Sequence, residues 1–212
     1  MKPLLLMILA GSVLNGFSQT KVFTKEDTLI GSNSAYRNWW DVMHYDVSVK
    51  PDYSDKSISG NIILTYKVTE AVSTPVMQID LQQPLTIDSL FYEGAKLTDV
   101  RREKNRWMFF LGRQEKDAQH QLRIFYHGKP KVARNAPWDG GFVWKRDSLG
   151  NPWMSVACQG AGASIWFPCK DLQADEPDQG ARLAITVPDS LKAIGNGKLV
   201  TVRKETKGLS TY

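Results

Sequence analysis

The residues from Asp41 to Val68, DVMHYDVSVKPDYSDKSISGNIILTYKV, decide the fold because apolar and polar side chains alternate along them. A period of two directs successive side chains to opposite faces, which is typical of a half-buried β-strand. The first strand directs Tyr45, Val47 and Val49 to one face, and residues 51–56 form a turn. A longer strand follows with its apolar face formed by Ile58, Ile62, Leu64, Tyr66 and Val68.

The same alternation returns along the rest of the chain, separated by turns and without a helical period. The further predicted strands lie at residues 77–81, 85–92 (interrupted near residues 88–89), 107–111, 122–126, 183–187 and 199–202. At residues 107–111 both faces are apolar, which predicts a central strand. A hairpin is expected around residues 142–144. This pattern predicts an all-β chain folded as an antiparallel β-sandwich with long loops.

Composition limits the class of protein. The chain has 212 residues, 42% hydrophobic and 23% charged, which is ordinary for a globular domain. The net charge is +5, and its densest basic run, Arg101–Arg106, lies between two apolar segments. That position indicates a solvated hairpin turn, and no stacking aromatic residues are interleaved with the charges as single-strand binding would require. No nucleic acid is expected as a partner.

The N-terminus predicts export. Lys2 precedes an apolar run from Leu4 to Val13 that is too short to span a bilayer, and Gly16 and Ser18 suit a signal-peptidase site. Residues 1–18 are therefore predicted to be a signal peptide, with a retained membrane anchor as the alternative. Residues 19–40 follow as an extended arm anchored by Trp39 and Trp40, and 41–212 form the sandwich. The protein is expected in the periplasm, at the cell surface or outside the cell, with no membrane span after cleavage.

A loop from Trp153 to Pro177, WMSVACQGAGASIWFPCKDLQADEP, is the least strand-like part of the chain. Gln159, Gly160 and Ala161 are candidate ligand-binding residues, because small side chains let backbone approach a ligand and place an amide at a rim. Asp171 is expected to cap the backbone that follows it. A structural Ω-loop is the alternative. Cys158 and Cys169 are either bridged, as export allows, or packed as free thiols.

Catalytic chemistry is not expected from these residues. The three histidines, His44, His120 and His127, lie on or beside predicted strands and form no H-E-x-x-H or other ligand-spaced cluster. There is no G-x-S-x-G nucleophile motif. We therefore predict neither a catalytic group nor a metal ligand here, and the piece should be inactive by itself.

The run Trp166-Phe167-Pro168-Cys169-Lys170-Asp171, followed by Glu176-Pro177, resembles the Pro-Cys-x-Asp signature of the N-terminal domain of the M1 family, the aminopeptidase N-like gluzincin peptidases. Residues 45–47, 58–60 and 194–199 are similar to the same domain, so the resemblance covers 41–212. It implies a saddle-like sandwich that packs on a downstream thermolysin-like catalytic domain. The family's Gly-x-Met-Glu-Asn motif and zinc-binding H-E-x-x-H would then lie beyond Tyr212, with zinc only in the full-length parent and this chain truncated before them.

The resemblance also implies a role for one side chain. A Gln or Glu eight residues before the hydrophobic residue of the Pro-Cys step helps to bind the substrate's free α-amino group, and that position is Gln159. The small residues from Gly160 to Ser164 replace bulkier residues and an Arg, and the acidic turn is longer than usual. Substrate preference is therefore not carried over.

Two hypotheses of function follow. The first is the non-catalytic, substrate-wall domain of an exported zinc aminopeptidase that removes N-terminal residues from peptides. The alternative is a secreted β-sandwich that binds a carbohydrate, a peptide or a protein partner through exposed Trp138, Trp144 and Trp153.

Overall fold

The structure is a computed structural model that describes Thr24 and residues 31–212. The predicted signal peptide and most of the predicted arm lie outside the described residues. The strands are β1 Trp40–Asp52, β2 Ser57–Val68, β3 Val76–Asp80, β4 Thr86–Tyr92, β5 Ala95–Leu97, β6 Val100–Glu103, β7 Arg106–Phe110, β8 Gln119–Gly128, β9 Gly141–Arg146, β10 Pro152–Ala157, β11 Ala181–Pro188, β12 Arg203–Lys204 and β13 Leu209–Thr211. A 3-10 helix spans Ala163–Ile165.

An eight-stranded sheet in the order β12-β13-β11-β1-β2-β8-β4-β5 carries most of the chain. Its β1–β2 hairpin turns where the Asp52 carboxylate accepts the backbone N–H of Ser54 at 2.9 Å, a side-chain turn that Asp favours. The register sets Tyr45 opposite Leu64 and Val47 opposite Ile62. Apolar side chains of both strands therefore share one face, as the alternation predicts.

That face is covered by a three-stranded sheet in the order β3-β7-β6. Met77 and Ile79 of β3 and Trp107 and Phe109 of β7 join one buried cluster with the inward residues of β1, β2, β4 and β8. Burial of this apolar surface is the main stabilising term of the fold. The predicted all-β, sandwich-like fold is confirmed.

The N-terminal side of the sandwich is closed by tryptophans. Trp39 and Trp40 are buried, and both rings contact Tyr66, with centroids 6.1 and 5.7 Å away. Both indoles are thus buried as predicted, while the predicted anchoring of the arm at residues 19–40 stays a prediction. The predicted interruption of β4 is a β-bulge between Ile87 and Ser89.

Several sequence expectations need correction. β1 pairs with β11 in parallel, so the large sheet is mixed rather than wholly antiparallel. Trp153–Ala157 belong to β10 rather than to the loop, and residues 199–202 form no strand, because pairing resumes only at β12. β7 is central in the small sheet, but Phe110 on its outer face is 57% exposed.

None of the helical segments in residues 31–212 has the length and apolar character needed to span a bilayer.

Gly60 provides a test of the β1–β2 packing. A Cβ at this position would overlap the Ser48 carbonyl oxygen and come within 3.1 Å of the Tyr126 ring. Gly60→Ala is therefore expected to lower the free energy of unfolding by about 1–3 kcal/mol through overpacking. Gly112→Ala is the control, because a Cβ there meets nothing within 4 Å. Equal denaturant-unfolding free energies for the two variants would contradict the packing described.

Candidate functional site

The loop after β10 turns sharply at Gln159 and Gly160. The backbone N–H groups of Ala161 and Gly162 both donate to the Cys158 carbonyl, at 3.0 and 3.1 Å. Gly160 has φ +63°, a left-handed conformation that glycine adopts without strain. The turn leaves Gln159 and Gly160 exposed and Ala161 half-buried. The Gln159 side chain is therefore accessible to solvent, and its role in ligand binding stays a prediction.

The Asp171 carboxylate fixes the backbone of this loop through hydrogen bonds. It accepts the backbone N–H groups of Ala163 and Ser164 at 3.3 and 3.2 Å, and the Ser164 hydroxyl at 2.5 Å. The prediction that Asp171 caps the backbone that follows it was wrong, since it caps the preceding 3-10 helix. A Cβ on Gly162 would overlap the Asp171 carboxylate. Only glycine fits at residue 162, so packing against Asp171 requires a small residue at this position of the loop.

The Pro-Cys step is a packed turn, as predicted. Pro168 and Cys169 are buried, and the rings of Trp166 and Phe167 lie 4.5 Å apart. Phe167 also contacts the Tyr45 ring edge-on at 5.7 Å. The segment is thereby fixed against β1. Cys169 and Cys158 are free thiols, the first buried and the second exposed.

A buried ion pair lies beneath the Pro-Cys step. Arg37 and Asp80 are both 0% exposed, with Arg37 Nη1 3.1 Å from Asp80 Oδ2. Asp80 also accepts from the Gln78 amide at 2.7 Å and from the backbone N–H of Asp171 at 3.1 Å. Burial raises the pKa of the Asp80 carboxyl to about 6, while the charge of Arg37 and these hydrogen bonds oppose the shift. At neutral pH the pair is therefore ionised.

The backbone completes this junction. Asp80 N–H donates to the Cys169 carbonyl at 2.8 Å, and Cys169 N–H donates to the Asp80 carbonyl at 3.1 Å. Arg37 Nη2 donates to the Ser32 carbonyl at 2.6 Å. Three segments far apart in sequence therefore meet at Asp80. Neither Arg37 nor Asp80 stands in a sequence motif, and the one signal for Asp80 is its place between the apolar residues Ile79 and Leu81.

A second buried cation lies beside the first pair. The Lys170 ammonium contacts the Asp175 carboxylate, donates to the Trp40 carbonyl at 2.5 Å and lies 4.4 Å from the Trp40 ring centroid. Burial lowers the pKa of Lys170, and Asp175 opposes that shift. The acidic turn at residues 171–176 thus supplies, through Asp175, the counter-charge that lets Lys170 be buried.

A wide open groove borders the loop. Its walls include Gly160 and Ala161 from the loop, Val156 from β10, and Leu183 and Ile185 from β11. An exposed amide beside such a groove can accept a hydrogen bond from a ligand ammonium group through its oxygen. Within Thr24 and residues 31–212, no three His, Cys, Asp or Glu side chains come together to hold a metal ion.

The three tryptophans considered for ligand binding differ in environment. Trp138 and Trp153 are 74% and 58% exposed. Trp144 is half-buried and stacks on Phe142 with centroids 5.1 Å apart, so the expectation of an exposed Trp144 was wrong.

The fold of the chain also occurs in known protein structures. No protein-family model and no curated protein matches the chain. Solved structures do match. An M1 zinc metallopeptidase from Deinococcus radiodurans (E323A mutant) has 22% identity and a TM-score of 0.65, with 85% of this chain and 40% of that chain covered. Native leukotriene A4 hydrolase from yeast has 15% identity and a TM-score of 0.60, with 82% and 26% covered.

These likenesses show that the chain has a fold found in M1 zinc metallopeptidases. The resemblance predicted from the Pro-Cys motif is confirmed at that level. The chain spans about 40% of the length of the Deinococcus structures that it matches.

The buried ion pair generates a stability prediction. Asp80→Ala should lower the free energy of unfolding by about 3–5 kcal/mol, because it removes the carboxylate that pairs with the buried Arg37 guanidinium. Asp99→Ala is the control, because its ion pair with Arg101 is exposed on both sides and should contribute less than about 1 kcal/mol. Urea unfolding measures both values. A loss for Asp80→Ala no larger than that for Asp99→Ala would show that the pair does not hold the junction.

Proposed function

We propose that this chain is the non-catalytic N-terminal domain of an exported zinc aminopeptidase of the M1 type. The observation that carries the proposal is the exposed Gln159 at the tip of a braced turn, on a sandwich with the fold of M1 zinc metallopeptidases. One of the matching structures is a metallopeptidase described as bound to a Tyr-Ser-Ala substrate, with 22% identity. This supports a peptide as the substrate of the complete enzyme.

Gln159 would bind the free amino terminus of the peptide. Its amide oxygen accepts a hydrogen bond from an ammonium group, and its exposed position leaves the amide open to a ligand. Asp171 and Gly162 fix the backbone on the far side of the turn, so little loop ordering remains to oppose binding. The role of this domain is thus to position the substrate, and the bond-breaking groups belong to the rest of the enzyme.

Zinc is part of the proposal for the complete enzyme only. The described residues offer no side-chain cluster that fits the ion, so no step of the reaction is assigned to it here. The downstream thermolysin-like catalytic domain is likewise proposed. An open groove lined by apolar residues of β10 and β11 is consistent with a surface that a second domain covers.

Replacement of Gln159 tests the substrate-positioning role. In the full-length protein, Gln159→Ala should reduce kcat/KM on aminoacyl substrates by about tenfold or more, since a hydrogen bond to a charged group is lost. Gln159→Glu should retain activity, because a carboxylate accepts from an ammonium more strongly. Gln173→Ala, an exposed glutamine of the same loop, is the control. Unchanged kinetics for Gln159→Ala would remove this residue from the site.

The complete gene product provides a second test. Its reading frame beyond Tyr212 is expected to encode H-E-x-x-H, and the exported protein should begin at Gln19 after removal of residues 1–18. Nucleotide sequencing and N-terminal sequencing of the mature protein measure the two features. A stop codon directly after Tyr212 would count against the aminopeptidase proposal, and an intact Met1 on the mature protein against export.

A further inference from the structure

Trp138 lies at the tip of a short turn that is closed by hydrogen bonds. The Asp139 carboxylate accepts the backbone N–H groups of Arg134 and Asn135, each at 2.7 Å. The N–H of Trp138 donates to the Asn135 carbonyl at 2.9 Å. These bonds fix the backbone and leave the indole 74% exposed. The turn therefore presents a large apolar ring to solvent from a constrained backbone.

The Trp138 turn lies directly against the Gln159 loop. Gly140 is buried, and a Cβ there would overlap Ala161 Cβ and come within 3.1 Å of the Gln159 carbonyl oxygen. The Gly140 backbone thus packs directly against the Ala161 methyl group and the Gln159 carbonyl, which a larger residue at 140 would prevent. Trp138 is two residues from Gly140, a span of at most about 7 Å. The Trp138 turn and the Gln159 turn are therefore direct neighbours, and both residues are exposed.

The Trp138 indole has apolar area available for a ligand. Trp144, by contrast, is covered by Phe142 and by Tyr53, whose ring centroids lie 5.1 and 6.4 Å from its own. Among the described residues, no aromatic ring or cation is found against the ring of Trp138. Covering such a ring with an apolar or aromatic group is favourable, and an aromatic pair gains further from ring geometry.

We propose that Trp138 is a specificity-determining residue that contacts the side chain of the substrate's N-terminal residue and favours a large apolar or aromatic one. This inference rests on the proposed function, because it takes the Gln159 amide as the site of the substrate's amino group. Gln159 then binds the free amino group, which every such peptide has. Trp138 contacts the first side chain, which differs between peptides.

The test compares substrates as well as variants in the full-length enzyme. Hydrolysis of the p-nitroanilides of phenylalanine, leucine and alanine is to be measured for four proteins: the wild type, Trp138→Ala, Trp138→Phe and Gln159→Ala. For Trp138→Ala, kcat/KM should fall about two- to tenfold for phenylalanyl and leucyl substrates relative to the alanyl one, mainly through KM. Trp138→Phe should retain most of the preference for phenylalanyl and leucyl substrates. Gln159→Ala should lower kcat/KM by a similar factor for all three substrates.

Trp153→Ala is the matched control. Trp153 is also exposed, but it stands on β10 four residues before Ala157, about 13 Å along the strand. It should leave the preference unchanged, and thermal unfolding should show Tm values close to wild type for both alanine variants. Equal losses on all substrates for Trp138→Ala, or the same shift for Trp153→Ala, would overturn the inference alone. A wild-type protein that hydrolyses none of the substrates would overturn the proposed function itself.

Discussion

The fully buried ion pair between Arg37 and Asp80 is the constraint on which the functional loop depends. Two charges removed from water are tolerated only when each is paired and hydrogen-bonded, and here the partners come from three segments. Arg37 belongs to the segment before β1, and Asp80 lies at the end of β3. The third segment is the Pro-Cys step, whose Asp171 backbone binds both side chains. Because none of these partners can leave without exposing a charge to apolar surroundings, the loop is held in one position relative to the sandwich.

Rigidity at this junction explains how an exposed amide can be a useful binding group. The backbone N–H of Asp171 donates to the Asp80 carboxylate, and the Asp171 carboxylate in turn accepts the backbone N–H groups of Ala163 and Ser164. Order is thus transmitted from the core to the turn that presents Gln159. A site placed on such a braced loop binds without first losing backbone freedom, which is the advantage of preorganisation. The Trp138 turn gains the same advantage by packing Gly140 against Ala161.

The strands could be predicted to a large extent, and their partners could not. Alternation located β1, β2 and β8 and assigned the inward positions of Leu64 and Tyr66, because a period of two is a local property. It could not reveal that β11 runs parallel beside β1, since pairing between distant strands leaves no local trace. Likewise, the motif did not show on which side Asp171 binds, because its carboxylate holds the 3-10 helix that precedes it.

The sequence by itself determined the all-β class, the inward face of each long strand and the position of a loop rich in small residues. The tertiary structure alone decided which charges are buried together. Arg37, Asp80, Lys170 and Asp175 look like ordinary surface residues in sequence, because the cost of burying a charge depends on partners that only the folded chain brings within reach. Long-range electrostatic satisfaction, rather than local pattern, therefore fixes the geometry of this site.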